Sequence, residues 1–195
     1  MNRKSFRKHG HAMVDWIADY MEHIDEYPVL AQVEPGEIAD SLPKRPPEEP
    51  EEMEAIFNDF KGILLPGMTH WQHPSFFAYF PANASEPSIL AEFLTAALGA
   101  QCMVWQTSPA ATELEEVVTD WLRHMLGLPE HFTGVIQDTA STSTLCALLC
   151  ARERATSFAI NEHGFRDGSS QSLIVYTSEE AHSSVEKGVK IAGFG

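Results

Sequence analysis

The sequence predicts an α/β domain preceded by a helical segment. Residues 134–195 alternate short apolar runs with helical patterns, and this alternation is typical of a largely parallel sheet whose strands are connected by helices. Residues 1–68 contain two amphipathic helical patterns joined by a proline-rich stretch, with no strand pattern. We therefore predict a helical segment over residues 1–68 and an α/β domain over residues 69–195.

The helical segment begins with an amphipathic pattern over residues 5–24. Its apolar side chains recur every three or four residues and form one stripe, made of Met13, Trp16, Ile17, Tyr20, Met21 and Ile24. Prolines scattered over residues 28–50 exclude a helix there, and a second helix is predicted from near Glu51 to a stop at Pro66-Gly67. Two helices joined by so long a proline-rich segment bury little apolar surface between themselves. We expect them to lie on another surface, and we favour a second subunit.

The stretch over residues 70–81 is dense in aromatic rings and has neither helical nor strand periodicity. Packing alone explains such a stretch, but aromatic side chains on irregular backbone also build pocket walls. Residues 88–98 then predict a buried helix. A further helix is predicted to start with Ser108 as N-cap and Pro109 as its first residue, and to stop at Gly127.

A hydroxyl-rich turn over residues 138–144 follows the first predicted strand, residues 134–137. Small residues allow backbone amides to approach an anion closely, and the following helix contributes its positive end. A phosphate fits such a turn, although a Ser- and Thr-rich helix start also serves as a simple cap.

A second polar turn, residues 181–184, follows the second predicted strand, residues 173–177. His182 in this turn is either a local hydrogen-bonding group or a catalyst, and Ser183 or Ser184 is expected to cap the next helix. Because ligands bind at the carboxyl ends of parallel strands, we expect both turns to line one crevice.

The overall composition excludes several classes of protein. The formal net charge of −15 argues against nucleic-acid binding, which needs clustered Lys and Arg. No apolar run is long enough for a membrane span or follows the basic start as in a signal peptide, so we expect a soluble, cytoplasmic protein. Three cysteines give no disulfide framework, and no further ligands lie close enough to predict a metal site.

Four motifs resemble the aromatic-L-amino-acid decarboxylases, which are group II pyridoxal-phosphate (PLP) decarboxylases of fold type I. In chain order they read HWQHPSFFAYFP at 70–81, WQTSPAATELE at 105–115, GVIQDTAS at 134–141 and AHSSVEK at 181–187. The resemblance covers essentially the whole chain. It implies an aspartate-aminotransferase-like fold, with residues 69–195 forming the N-terminal half of the PLP-binding large domain. It also implies a homodimer in which residues 1–68 pack on the partner subunit.

The resemblance assigns PLP contacts to both polar turns. Ala140 and Ser141, with Thr139 beside them, match the turn that holds the PLP phosphate. His182 matches the histidine that stacks on the pyridine ring beside the substrate carboxylate, where it keeps the ring flat and assists proton transfer. His182 is therefore the expected catalytic residue of this chain.

The resemblance also assigns a substrate site. Trp71, Tyr79, Phe80 and Pro81 match the wall that meets the substrate side chain. Ala82 stands where animal members have threonine, so one hydroxyl contact is lost. Two further residues match positions that reach the neighbouring subunit's pocket, where animal-type members carry apolar or aromatic residues: Gln101 and Met103.

The implied reaction is decarboxylation of aromatic L-amino acids to the corresponding amines. The lysine that binds PLP covalently and the aspartate that pairs with its ring nitrogen belong to later motifs, so we expect a complementary C-terminal fragment to supply them. Lys187 and Lys190 are expected to face solvent. Two alternatives stay open: an inactive fragment that only dimerises or binds, and a related PLP-dependent aromatic aldehyde synthase. A glutamate decarboxylase fits less well, because the rings of Tyr79 and Phe80 suit an aromatic substrate.

Overall fold

The computed structural model describes residues 1–80, 82–165 and 173–194. The chain divides into two compact units, Met1–Leu98 and Gly99–Gly195. Each unit is built mainly from helices. Within the described residues, none of these helices has the length and apolar character that a membrane span requires.

The described residues of the first unit form four α-helices. They are α1 (Arg3–Glu22), α2 (Glu37–Ser41), α3 (Met53–Asp59) and α4 (Glu86–Leu98). Helix α1 begins where Asn2 Oδ1 accepts the backbone N–H of Ser5 at 2.9 Å, which satisfies one of the free amides of the first turn. Helix α3 continues as a π-helical turn and then a 3-10 turn that ends at Gly67, as the Pro66-Gly67 stop predicted.

Helices α1 and α3 contact each other through aromatic rings. The Trp16 ring lies edge-on to Phe57 at 5.8 Å and to Phe60 at 5.3 Å between centroids, and it stacks on Tyr20 at 5.3 Å. Such edge-to-face pairs stabilise beyond the area they bury. Two large rings of the second helix reach back to the first, but no described residue of α1 or α3 is buried, in agreement with the expectation that the two helices bury little between themselves.

The second unit contains α5 (Pro109–Met125), α6 (Ala140–Ala155), α7 (Ala159–His163) and α8 (Ser183–Ile191). Helix α5 has Ser108 as N-cap and Pro109 as first residue, as predicted, but the Ser108 hydroxyl makes no capping hydrogen bond. Its carbonyl instead accepts from the backbone N–H and from the hydroxyl of Thr112, each at 3.1 Å. Gly127 follows the helix with φ +65°, the left-handed conformation that ends helices.

Helices α6 and α8 pack tightly against each other. A Cβ added to Gly188 of α8 would lie 2.9 Å from Leu148 Cδ1 of α6, so the missing side chain permits the close approach. At the end of α8, Arg152 Nη1 donates to the Ala192 carbonyl at 2.6 Å. The Arg152 guanidinium also pairs with Glu153 at 2.8 Å and lies 5.2 Å from the centre of the Phe165 ring.

The two predicted strands do not form in the described residues. Residues 134–137 and 173–177 have irregular backbone without a hydrogen-bonded ladder. Strand geometry depends on a neighbouring strand for its hydrogen bonds, and an apolar run alone does not provide one. The first segment is hydrogen-bonded by a side chain instead: Glu115 Oε1 accepts the Ile136 N–H at 2.6 Å.

The predicted burial of the helical apolar faces is also corrected. Helix α4 was expected to be buried, yet Leu94 is 66% exposed, and Trp121 in the apolar stripe of α5 is 59% exposed. Ala192 is the one apolar residue classed as fully buried core among the described residues. The formation of α4 and α5 was predictable from the local sequence pattern. Burial of their apolar faces requires a covering surface, which neither unit provides in the described residues.

Candidate active site

The first polar turn starts helix α6. The Thr139 hydroxyl accepts the Thr142 N–H at 3.1 Å and hydrogen-bonds the Thr142 hydroxyl at 3.1 Å, so Thr139 is the N-cap. The amides of Ala140 and Ser141 have no acceptor among the described residues. These two amides, at the positive end of a 16-residue helix, are therefore open to an anion.

The second polar turn starts helix α8, and its cap is His182. His182 Nδ1 lies 3.2 Å from the Ser184 backbone N–H, which it accepts, and 2.9 Å from the Ser184 hydroxyl. The expected cap by Ser183 or Ser184 is thus wrong: the imidazole takes the role usually filled by a short polar side chain. Because Nδ1 accepts the amide hydrogen, a neutral His182 carries its proton on Nε2.

The two turns meet at one cleft, as predicted. Its volume is about 240 Å³, and Ser141 and Thr142 line it from α6 while His182, Ser183, Ser184 and Lys187 line it from α8. Leu145, Gly188 and Ile191 form its apolar part. Two helix N-termini and several hydroxyls therefore converge on a space that suits a phosphorylated ligand.

The two lysines of α8 face solvent, as predicted. Lys190 pairs with Glu186 one turn earlier at 2.5 Å, and both side chains are largely exposed. The hydrogen bond from Lys190 lowers the pKa of the Glu186 carboxyl. Lys187 is exposed at the rim of the cleft.

The aromatic stretch of the first unit forms a loop closed on itself. Trp71 stacks on Tyr79 at 5.8 Å and contacts Phe76 at 4.8 Å between ring centroids. The Gln72 side-chain amide donates to the Ala82 carbonyl, which joins the two ends of the loop. The tip is open, since Phe80 is 96% exposed, and Tyr79 has φ +57°, which a bulky residue rarely adopts. Pro81 lies outside the described residues.

His70, at the start of this loop, is buried and only 3% exposed. Its Nδ1 lies 2.6 Å from the Tyr20 hydroxyl of α1, and its backbone N–H donates to the Val29 carbonyl at 3.0 Å. Burial lowers the pKa of His70, and the nearby His73 lowers it further. Burial also raises the pKa of Tyr20, so this pair is neutral near pH 7.

Gln101 and Met103 lie in the second unit, between α4 and α5. The Thr107 hydroxyl donates to the Gln101 carbonyl at 2.6 Å and to the Val104 carbonyl at 2.8 Å, which folds residues 101–107 into a compact turn. Met103 is largely exposed. The structure thus groups Ser141 with His182 and Trp71 with Tyr79, each pair within its own unit.

The conserved domain of the pyridoxal-dependent decarboxylases matches residues 35–195. The chain belongs to the pyridoxal-dependent decarboxylase family. This confirms the resemblance drawn from the four motifs, and with it PLP as the cofactor.

Individual relatives agree with that assignment. The chain is 44% identical to tryptophan decarboxylase 2 of Oryza sativa and 43% identical to a phenylacetaldehyde synthase of Arabidopsis thaliana, over 99% of its length in each case. It also matches the crystal structure of Catharanthus roseus tryptophan decarboxylase in complex with L-tryptophan, with a TM-score of 0.88, 42% identity and full coverage of this chain. The predicted fold type I class is thereby confirmed.

The chain spans about two-fifths of the length of these relatives, 39% of each of the two sequences and 40% of the crystallised protein. The cleft residues nevertheless fit PLP. The open amides of Ala140 and Ser141 suit its phosphate, and the imidazole of His182 borders the same cleft.

Several contacts within each unit were not predicted from sequence. Glu115 ties α5 to the backbone just before the first polar turn, and Gly188 allows α8 to approach α6. The Tyr20–His70 pair joins residues 50 positions apart. Only the helical spacing of Tyr20 and the aromatic density around His70 gave a signal, and neither showed that the two side chains meet.

Proposed function

We propose that this chain forms part of a PLP-dependent decarboxylase that converts aromatic L-amino acids to the corresponding amines. The observation that carries the proposal is the cleft where the N-termini of α6 and α8 converge, with Ser141 on one side and His182 on the other. PLP, when bound, withdraws electrons from the substrate α-carbon. The amides of Ala140 and Ser141, with the Ser141 hydroxyl and Thr139 beside them, would hold its phosphate.

His182 holds and moves a proton in this proposal. Its Nδ1 is engaged by Ser184, so the ring is fixed through one nitrogen and Nε2 is left as the group that exchanges a proton with the reacting substrate. The capping contact orients the imidazole before substrate arrives. Its flat face would pack on the cofactor ring and restrict the access of water.

The aromatic loop selects the substrate. Trp71, Tyr79 and Phe80 supply an aromatic surface, to which the resemblance adds Pro81 and Ala82, with no hydroxyl contact at the last position. Gln101 and Met103 belong to the pocket of the neighbouring subunit, as the resemblance implies. A planar side chain gains more from such a wall than a carboxylate does, which favours aromatic amino acids over glutamate.

An aldehyde synthase is the second candidate, because the chain is nearly as similar to the Arabidopsis phenylacetaldehyde synthase as to the rice tryptophan decarboxylase. The presence of His182 favours decarboxylation without oxidation. An inactive chain that only binds or dimerises is the third candidate.

The proposed enzyme is a cytoplasmic homodimer in which residues 1–68 pack on the partner subunit and residues 69–195 contribute to the PLP domain. The PLP lysine and the aspartate at the ring nitrogen come from a complementary C-terminal fragment. Exposed apolar side chains on α1, such as Phe6 at 69% exposure, support the dimer.

Product analysis of the PLP-loaded protein tests the proposal. L-tryptophan, L-tyrosine, L-phenylalanine and L-dihydroxyphenylalanine are each supplied, and amine, aldehyde and dissolved oxygen are followed together. A decarboxylase yields amine without oxygen uptake, whereas aldehyde with oxygen uptake identifies the synthase. Bound PLP without turnover of any of the four, in a sample that contains the complementary fragment, contradicts both enzymatic candidates. Intact-mass measurement of the same sample shows whether a second polypeptide is present.

A further inference from the structure

His70 is fixed at three of its atoms. Its ring nitrogen Nδ1 meets the Tyr20 hydroxyl, its backbone N–H donates to Val29, and its carbonyl accepts the His73 N–H at 3.0 Å. The rings of Tyr20 and Tyr27 pack on the imidazole at 5.6 and 4.9 Å between centroids. Because His70 is held in this way, its contact with α1 fixes the position from which the following residues start.

The chain that follows is the aromatic loop. From His70 the backbone makes two successive turns: the His73 N–H bonds the His70 carbonyl, and the Phe76 N–H bonds the His73 carbonyl at 2.9 Å. His73 Nδ1 also accepts the Ser75 N–H at 2.9 Å. Trp71 lies inside the first of these turns and stacks on Tyr79, so the loop's rings are placed relative to the buried His70.

We propose that Tyr20 and His70 are positioning residues that hold Trp71 and thereby set the affinity of the aromatic wall for the substrate side chain. This inference rests on the proposed function, because it takes Trp71 as part of the substrate site. Neither residue touches the reacting atoms. Their effect is on binding, so it falls on KM rather than on kcat.

Among the contacts of His70, the hydrogen bond with the Tyr20 hydroxyl is the specific link to α1. The rings of Tyr20 and Tyr27 face the imidazole of His70, and the nearby His73 lowers its pKa beyond the effect of burial. No carboxylate among the described residues pairs with it. The Tyr20 hydroxyl is therefore the contact to remove.

The test compares two substitutions that each remove one hydroxyl beside the same imidazole. Tyr20→Phe deletes the hydrogen bond to Nδ1, while Tyr27→Phe deletes a hydroxyl that makes no hydrogen bond to His70. In the PLP-loaded holoenzyme, Tyr20→Phe is expected to raise KM for the preferred aromatic amino acid by about three- to tenfold, the range for one neutral hydrogen bond, with kcat changed by less than about twofold. Tyr27→Phe leaves both constants unchanged.

A second pair of variants tests the histidine itself. Asn places an acceptor close to the Nδ1 position, so His70→Asn keeps a partner for Tyr20, whereas His70→Leu fills the space without one. We expect His70→Asn to restore a KM near that of the unsubstituted enzyme and His70→Leu to behave like Tyr20→Phe. Equal KM values for His70→Asn and His70→Leu would overturn the proposal.

A readout independent of turnover is the ¹⁹F NMR signal of 5-fluorotryptophan at Trp71, assigned with Trp71→Phe. Tyr20→Phe is expected to shift or broaden this signal, and Tyr27→Phe to leave it in place. An unchanged Trp71 signal in Tyr20→Phe overturns the positioning role. If the signal moves while the unsubstituted holoenzyme turns over no aromatic amino acid, the positioning of Trp71 stands and the proposed function, with its effect on KM, fails.

Discussion

His182 combines a structural contact with a proposed chemical one. Its Nδ1 caps α8 through Ser184, and its Nε2 is the nitrogen proposed to exchange a proton. From sequence, the position of His182 after an apolar segment marked it as a candidate. The capping geometry was not predictable, because a serine at either of the next two positions matches the usual cap preference better.

Substitutions at His182 are expected to separate the two contributions. Asn is a good N-cap, so His182→Asn should retain the thermal stability of the protein while lowering kcat by about 10²- to 10⁴-fold, the range for a lost general acid–base group. His182→Ala should lose similar activity and also about 1 kcal/mol of stability. Thermal unfolding and steady-state kinetics measure the two effects. An active His182→Asn enzyme would show that the imidazole is not needed.

The lowered pKa of His70 predicts how stability depends on pH. The unfolded chain takes up a proton at the ordinary pKa of histidine, about 6.5, whereas the folded chain resists protonation until the pH is lower. The stabilisation by neutral His70 is therefore complete above about pH 6.5 and is lost as the pH falls through that value toward the lowered folded pKa.

Denaturant unfolding at a series of pH values between about 4 and 8 checks this expectation. The unsubstituted protein should lose more stability on acidification than His70→Asn, whose side chain does not titrate. Taking the difference between the two proteins removes contributions from other groups, including exposed His23, whose pKa is raised chiefly by a hydrogen bond to the Asp19 carbonyl. Parallel curves for the two proteins would contradict the buried, neutral state of His70.

At the scale of elements, start and stop signals predicted helices well. Pro109 after Ser108 and the Gly127 stop lie where local sequence indicated, whereas α6 starts at Ala140, inside the segment predicted as a turn. The strands at 134–137 and 173–177 failed because a strand depends on a partner that local sequence does not specify. For the same reason the cleft between α6 and α8 was predictable only as two adjacent turns, and its width depends on Gly188.

Arg152 joins these elements. It is largely buried, pairs with Glu153 and donates to the end of α8 at Ala192, while Glu153 Oε2 accepts the Asn161 N–H of α7 at 2.9 Å. Arg152→Met leaves a poorly exposed carboxylate and a carbonyl without their donor, so we expect a loss of about 1–3 kcal/mol of stability. Arg154→Met, in the exposed last turn of the same helix, is the matched control and should change stability by less than about 0.5 kcal/mol. Chemical denaturation measures both, and equal effects would rule out this contribution of Arg152.

At the scale of the whole molecule, burial is the property that sequence patterns predicted least well. The stripes on α4 and α5 are apolar as expected, yet they stay open to water in the described residues. Since the chain spans about two-fifths of its relatives, we expect these faces to be covered in the assembled enzyme. The composition of 44% hydrophobic residues indicated that a core forms, but it did not show which surfaces pack together to form it.

The solvent exposure of Trp121 shows whether the apolar face of α5 is covered. In the 195-residue chain its indole is 59% exposed and should be quenched strongly by acrylamide. In the assembled holoenzyme we expect quenching of Trp121 to fall to the level of a buried indole. Variants that keep Trp121 alone, with the other three tryptophans replaced by Phe, isolate its signal. Equal quenching in the chain and in the assembled enzyme would contradict the expected covering of α5.

The irregular segments before α6 and α8 have a consequence for handling the protein. The β-branched side chains of Val135, Ile136 and Ile174 are largely exposed. Within the described residues, their backbone donors and acceptors are not part of a hydrogen-bonded ladder. Such segments act as templates for edge-to-edge association between chains. These 195 residues produced by themselves are therefore expected to aggregate through β-pairing. Ile174→Lys should keep them in solution, because it places a charge where the strand of another chain would pair.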